Sequence, residues 1–194
     1  MASNDRVCAH TKANHIFCVA TGGQNKLIDY ALAGRAEQTQ LVMTNDALFV
    51  SVDDSVYALK FAAAPLIWKQ TIQEGGLSAA SLVDDGKKLV IQTRNALRAY
   101  DAKTGSALWL VSSPREDGAW SRSAKMPIDL GGTIVGWGKS FAFGVTLDGR
   151  LEWQLAVDGS LSAAPVSTSD GTLVLAVQGH KPELVANAPR NLFN

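Results

Sequence analysis

The 194-residue chain carries no net charge, because 18 Lys and Arg are balanced by 18 Asp and Glu. No run of basic residues exceeds two, so the basic footprint of a nucleic-acid-binding surface is missing. No stretch approaches 18 consecutive apolar residues, which excludes a membrane-spanning helix. The first residues, Met1-Ala2-Ser3-Asn4-Asp5-Arg6, lead into no long apolar segment of the kind found in a secretion signal. Histidine is scarce: His10, His15 and His180 form no H-x-x-x-H or H-E-x-x-H pair, so they read as solvated turn residues. A G-x-S-x-G nucleophile elbow is absent. Thr21-Gly22-Gly23-Gln24-Asn25-Lys26 lacks P-loop spacing and reads as a hairpin loop.

Cysteine occurs twice, as Cys8 and Cys18. The pair flanks Thr11-Lys12-Ala13-Asn14, a hairpin-turn sequence that sets the two nearly opposite each other on neighbouring strands. The expected state is two small buried side chains, with a cross-strand disulfide as the alternative in an oxidising compartment. With no accompanying His cluster they make no zinc site.

What the chain does have is apolar content, 46%, with charged residues at 19%, a balance that favours a packed core over disorder. Helical periodicity is nearly absent. Short β-branched and aromatic runs alternate with Gly, Asp and Asn turns, the signature of an all-β chain. The clearest unit has strands at 78–83, 88–93, 96–100 and 107–111, with turns at Asp84-Asp85-Gly86-Lys87, Arg94-Asn95 and Lys103-Thr104-Gly105. Four antiparallel strands in about 40 residues is the unit of a propeller blade, and such a unit buries its faces only by stacking on others. Aromatics close successive units at Tyr30, Trp68, Trp109 and Trp153, in steps of 38, 41 and 44 residues.

The expected units span residues 39–71, 78–111 and 123–156, with partial units at 6–32 and 162–186. The first partial unit is expected to supply only later strands and the last only earlier ones. About 18 strands result, or four to five blades, of which three are complete. Eighteen does not divide by four. The reading therefore favours a piece of a longer seven- to eight-bladed propeller over a compact, self-closed form.

The frame Ala99-x-Asp101-x-x-Thr104-Gly105-x-x-x-Trp109 explains the recurrence physically. Gly105 permits positive φ in the turn, Asp101 and Thr104 bond local N–H groups, Ala99 leaves room for a neighbour, and Trp109 buries a large flat ring. The frame resembles the tryptophan-docking motif of the PQQ-like β-propeller repeat. Weaker copies keep Ala58 and Trp68; Gly149 and Trp153, with Phe143 in the Ala place; and Ala20 with Tyr30. The resemblance runs from about Arg6 to Ala186 and implies the fold. It is closer to the non-catalytic, BamB-like members than to the quinoprotein dehydrogenases.

In the dehydrogenases the family pattern implies a quinone, a calcium held by acidic and amide side chains, a catalytic Asp and often an adjacent Cys pair. Here no Cys-Cys pair occurs, and Asp53-Asp54 and Asp84-Asp85 fall in expected hairpin turns. The leading expectation is a non-catalytic scaffold binding a protein or peptide, without cofactor and with no catalytic residue assigned. The alternative is part of a PQQ- and calcium-dependent dehydrogenase whose active-site residues lie outside this chain. A third reading is a carbohydrate- or ligand-binding module. The candidate contact surface is the polar segment 112–122, with Arg115, Trp120 and Arg122 as anchors. Trp137, between Gly136 and Gly138, faces either a channel or the next blade. The sequence leaves the compartment open; for a piece of a longer propeller, the resemblance implies a periplasmic or secreted setting.

Overall fold

The computed structural model describes residues 2–3, 5–22, 25–33, 39–72, 80–93, 95–113, 126–161, 163–168, 172–178 and 184–186. Every regular element among them is a β-strand, and the strands form five antiparallel sheets in chain order. The first contains β1 (Ala2–Ser3), β2 (Arg6–His10), β3 (His15–Ala20) and β4 (Lys26–Ala31). The second contains β5 (Thr39–Met43), β6 (Ala47–Val52), β7 (Ser55–Lys60) and β8 (Leu66–Thr71). The third contains β9 (Ser81–Val83), β10 (Lys88–Gln92), β11 (Ala96–Asp101) and β12 (Ala107–Ser112). The fourth contains β13 (Ile128–Asp129), β14 (Thr133–Trp137), β15 (Phe141–Thr146) and β16 (Leu151–Ala156).

In the fifth sheet, β17 (Ser160–Leu161) and β18 (Val166–Ser167) pair with opposite ends of β19 (Leu173–Gln178), and β20 (Leu184–Ala186) also pairs with β19. The first sheet departs from expectation. The two-residue β1 pairs with Arg6 and Val7, so this sheet has a first strand as well as its later ones. Two residues are too short a run to show alternation in the sequence.

The middle strands are apolar on both faces because each face meets a different neighbour. In β6 and β7, Leu48, Val50, Val52, Tyr57 and Leu59 pack toward the first sheet, while Ala47, Phe49, Val56 and Ala58 pack toward the third. The same alternation places Val90, Leu97 and Ala99 against Ile134, Phe143 and Val145 of the fourth sheet. Val135, Trp137 and Ala142 pack against Leu161, Leu173, Leu175 and Val177 of the fifth. Side chains that alternate across a strand thus build four buried clusters, each between consecutive sheets. Trp137 faces the next sheet and is buried.

Tight turns complete the hairpins. Asn14, Asp53, Asp84 and Asp85 adopt positive φ, between 50° and 63°, which Asn and Asp tolerate better than other non-glycine residues.

Cys8 and Cys18 are directly opposite each other on β2 and β3, and they are joined in a disulfide. Both are buried against the second sheet, as expected, but the free-thiol reading is overturned. Their Cα atoms are 4.2 Å apart, the close spacing of an antiparallel pair that exchanges no backbone hydrogen bonds.

Candidate functional site

One register feature recurs in the first four sheets. Ala58 stands opposite Trp68, Ala99 opposite Trp109 and Gly144 opposite Trp153, and in each case the ladder shifts by one residue immediately afterwards. The first sheet makes the same shift after Cys18, whose partner is Ile28. Two sequence assignments are therefore corrected. The first-sheet counterparts of the Ala and Trp are Cys18 and Ile28, not Ala20 and Tyr30. In the fourth sheet the small residue is Gly144, not Phe143, because the following turn is one residue shorter.

The indoles do not serve their own turns. Trp68 donates its Nε1–H to the carbonyl of Ala102 at 3.0 Å, in the turn of the third sheet. Its ring lies over Gly105, where an added Cβ would fall 2.6 Å from Cδ2. Gln70 donates to the Gly105 carbonyl from the same strand. Trp109 repeats the arrangement one sheet on, donating to Leu147 at 2.9 Å and covering Gly149. Lys88 reaches the same Leu147 carbonyl. Trp68 is buried, whereas Trp109 is only partly so. Trp153 packs at the border of the fourth and fifth sheets, over Gly144. Tyr30 makes an edge-on contact with Tyr57 of the second sheet.

Further polar links between sheets had no sequence assignment. The Gln92 side chain is buried, donates to the Trp137 carbonyl at 2.6 Å and accepts from the Trp137 N–H. It thus acts as a short piece of strand. The buried Ser81 hydroxyl donates to the Pro127 carbonyl. The only sequence signal was a polar residue at the end of an apolar run, which also describes an ordinary strand end.

Asp101 holds the turn that receives Trp68. Its Oδ1 accepts from the backbone N–H of Thr104 and of Lys103 and from the Thr104 hydroxyl. The Thr104 bonds, chiefly the backbone one, hold the Asp101 carboxyl below the usual carboxylate range. A lowered carboxylate pKa adds stability that is present above the unfolded pKa, near 3.8, and disappears as pH falls through the folded value. The wild-type chain is therefore expected to melt higher than a D101N variant near neutral pH. The gap should narrow as pH drops below about 4, measured by circular dichroism melts at several pH values.

The acidic turns are occupied by local partners. Asp84 pairs with Lys88 at 3.1 Å and with Lys87, and Asp54 accepts from the Ser55 hydroxyl. Among the described residues no three His, Cys, Asp or Glu side chains gather in a way that could hold a metal ion. His15 bonds Asp29 at 2.8 Å and His10 bonds Asn14 at 3.1 Å. His180 lies outside the described residues, as do Arg115, Trp120 and Arg122 of the candidate contact segment.

The most prominent exposed feature is the outermost strand of each complete sheet after the first. Leu66 and Ile67 on β8, Leu108 and Leu110 on β12, and Leu151 on β16 are each 44–48% exposed. These strands also end their sheets, so each has one side of its backbone without a strand partner within its sheet.

The sequence pattern of a protein family described as outer membrane protein assembly factor BamB matches residues 31–190. No curated protein matches at a significant level. Among solved structures, the dihydro-heme d1 dehydrogenase NirN in complex with DHE superposes with a TM-score of 0.71 at 12% identity, over 94% of this chain and 41% of that one. The computationally designed Ika8 protein gives 0.72 at 13% identity, over 96% and 57%. The quinohemoprotein alcohol dehydrogenase ADHIIG from Pseudomonas putida HK5 gives 0.59 at 15% identity, over 71% and 28%. The chain thus spans between 28% and 57% of the length of these three proteins. At such identities the likeness is one of fold, that of a β-propeller built from four-stranded antiparallel blades.

Proposed function

This chain belongs to the BamB-type family of PQQ-like β-propeller proteins, and we propose that it is a non-catalytic scaffold that binds an extended protein segment along its rim. The carrying observation is the set of large aliphatic side chains on β8, β12 and β16, displayed beside open strand edges. Natural sheets usually guard such edges with charge, proline or a covering loop. An edge that offers backbone hydrogen bonds together with apolar side chains suits a peptide that adds as a further strand, with alternate apolar residues meeting the blade.

The segment that follows β12 in the sequence carries Arg115, Trp120 and Arg122, residue types that anchor interfaces. The role needs neither PQQ nor calcium. The Cys8–Cys18 disulfide suits an oxidising compartment such as the periplasm or the cell exterior.

A photo-crosslinking residue placed at Leu108 in the native host is expected to give one discrete protein adduct. Adding L110E should cut its yield about tenfold, since burial of a leucine is worth more than 1.4 kcal/mol. A diffuse ladder of adducts, or dye-linked alcohol or sugar oxidation by the purified chain supplied with PQQ and calcium, would overturn the reading.

A further inference from the structure

The ladders fix which residues of each outermost strand turn their backbone outward. In the third sheet the Ser113 N–H donates to the Asn95 carbonyl. Along an antiparallel ladder, hydrogen-bonded pairs alternate with non-bonded ones. Leu110, opposite Arg98, and Ser112, opposite Ala96, therefore sit in non-bonded pairs. Their N–H and C=O groups point away from β11, toward the open side of the sheet. The bonds Leu32 to Asn14, Ile72 to Asp54 and Val157 to Ser140 set the same count elsewhere. They turn the backbone of Asp29, Lys69 and Gln154 outward in the first, second and fourth sheets.

At this one register position the four sheets carry Asp29, Lys69, Leu110 and Gln154, all exposed. Leu110 is the apolar exception. The strands differ as wholes too. Lys26 and Asp29 charge β4, Lys69 charges β8 and Glu152 charges β16, whereas β12, Ala107–Ser112, carries no charge. A charge on an edge strand opposes pairing, because an added strand would strip it of water. Of these four edges, that of the third sheet is the unguarded one.

We infer that β12 is the edge to which the partner segment adds, as one extended strand bonded to the backbone of Leu110 and Ser112, with an uncharged apolar residue beside Leu110. The inference rests on the rim-binding reading above and narrows it to one edge and one ligand chemistry. Outward N–H and C=O groups call for a backbone, which a purely aliphatic ligand does not offer. Directly paired residues on one face stand about 5 Å apart, so the residue opposite Leu110 meets its exposed side chain. An apolar partner there removes water from both, and a charged one does not pair. A second copy fits less well. Two rims meeting edge to edge would touch along one six-residue strand each, short of the roughly 1,000 Å² of a stable interface. An added peptide strand needs less area, because backbone hydrogen bonds carry its affinity.

Fluorescence anisotropy of the intact chain with a fluorescein-labelled peptide of alternating Thr and Val tests this. Saturable binding of one peptide per chain is expected. Leu110→Lys, which installs the second sheet's residue, should weaken it at least about tenfold with unchanged circular dichroism. Lys69→Leu should unguard β8 and raise the stoichiometry to two, a gain that misfolding does not mimic. N-methylating alternate residues of the peptide removes donors, keeps the side chains and should abolish binding. Lack of saturable binding, equal binding by L110K or by the methylated peptide, or an unchanged stoichiometry in K69L would each overturn the inference. Concentration-dependent dimers that L110K abolishes would do so too, by assigning the edge to a second copy. Crosslinking in the native host separates this inference from the reading it rests on. Adducts from Ile67 and Leu151 as abundant as those from Leu108 would leave rim binding standing and overturn only the choice of β12. No adduct from any of the three would overturn both.

Discussion

Trp68→Ala is expected to lower stability by about 3–5 kcal/mol, the range for truncating a buried aromatic. The indole is 8% exposed, belongs to the cluster joining the second and third sheets, and donates a hydrogen bond to Ala102. Removal therefore leaves both a cavity and a carbonyl without its indole donor. The informative experiment is a double-mutant cycle with Gly105→Ala, read by urea unfolding. Gly105 has φ +74°, so alanine there costs about 1–2 kcal/mol from backbone conformation alone.

In the wild-type background the new methyl also collides with the Trp68 ring. In the W68A background that collision is gone, so the two losses should fall short of additivity by about 1–2 kcal/mol. Strict additivity would mean that the ring and the turn do not support each other. Trp109→Ala should cost less than Trp68→Ala, since Trp109 is only partly buried although it keeps the equivalent bond to Leu147.

The second large effect concerns the disulfide. Replacing both Cys8 and Cys18 with alanine is expected to remove about 2.5–3 kcal/mol, the chain-entropy value for a loop closed across ten residues of separation. Alanine suits this comparison at Cys18, because Ala58 and Ala99 hold the equivalent place in other sheets. Either single variant should lose about as much as the double. Unfolding midpoints with and without reductant provide the check. A wild-type midpoint that does not respond to reductant would show that the bond contributes nothing.

Local features were the legible ones. Strand alternation, the Asp-Asp and Thr-Gly turns, and the Ala99-to-Trp109 spacing can be read directly, because each depends on neighbouring residues. What failed depends on register or on distant partners. Tyr30 stands at the aromatic spacing of the repeat, yet the ladder shift follows Cys18, which pairs with Ile28. Phe143 stands ten residues before Trp153, but the turn is shorter by one residue and the ladder sets Gly144 opposite Trp153. The destination of each indole is a carbonyl 34 or 38 residues away, in a different hairpin, and no local pattern encodes that. The state of the two cysteines depends on oxidation, which spacing permits without requiring.

The offset between each indole and its acceptor turn bears on how such chains grow and shrink. The segment that carries a matched donor and acceptor is not one sheet: it runs from the outermost strand of one sheet to the third-strand turn of the next. Deleting a length of chain equal to the third sheet would leave the Trp68 indole facing the turn of Leu147 and Gly149, which already receives Trp109. At that junction a sheet can be lost without stranding the buried Trp68 ring. A graft that exchanges one sheet for a foreign one creates two mismatched junctions, and it is better cut between a turn glycine and the tryptophan that follows it.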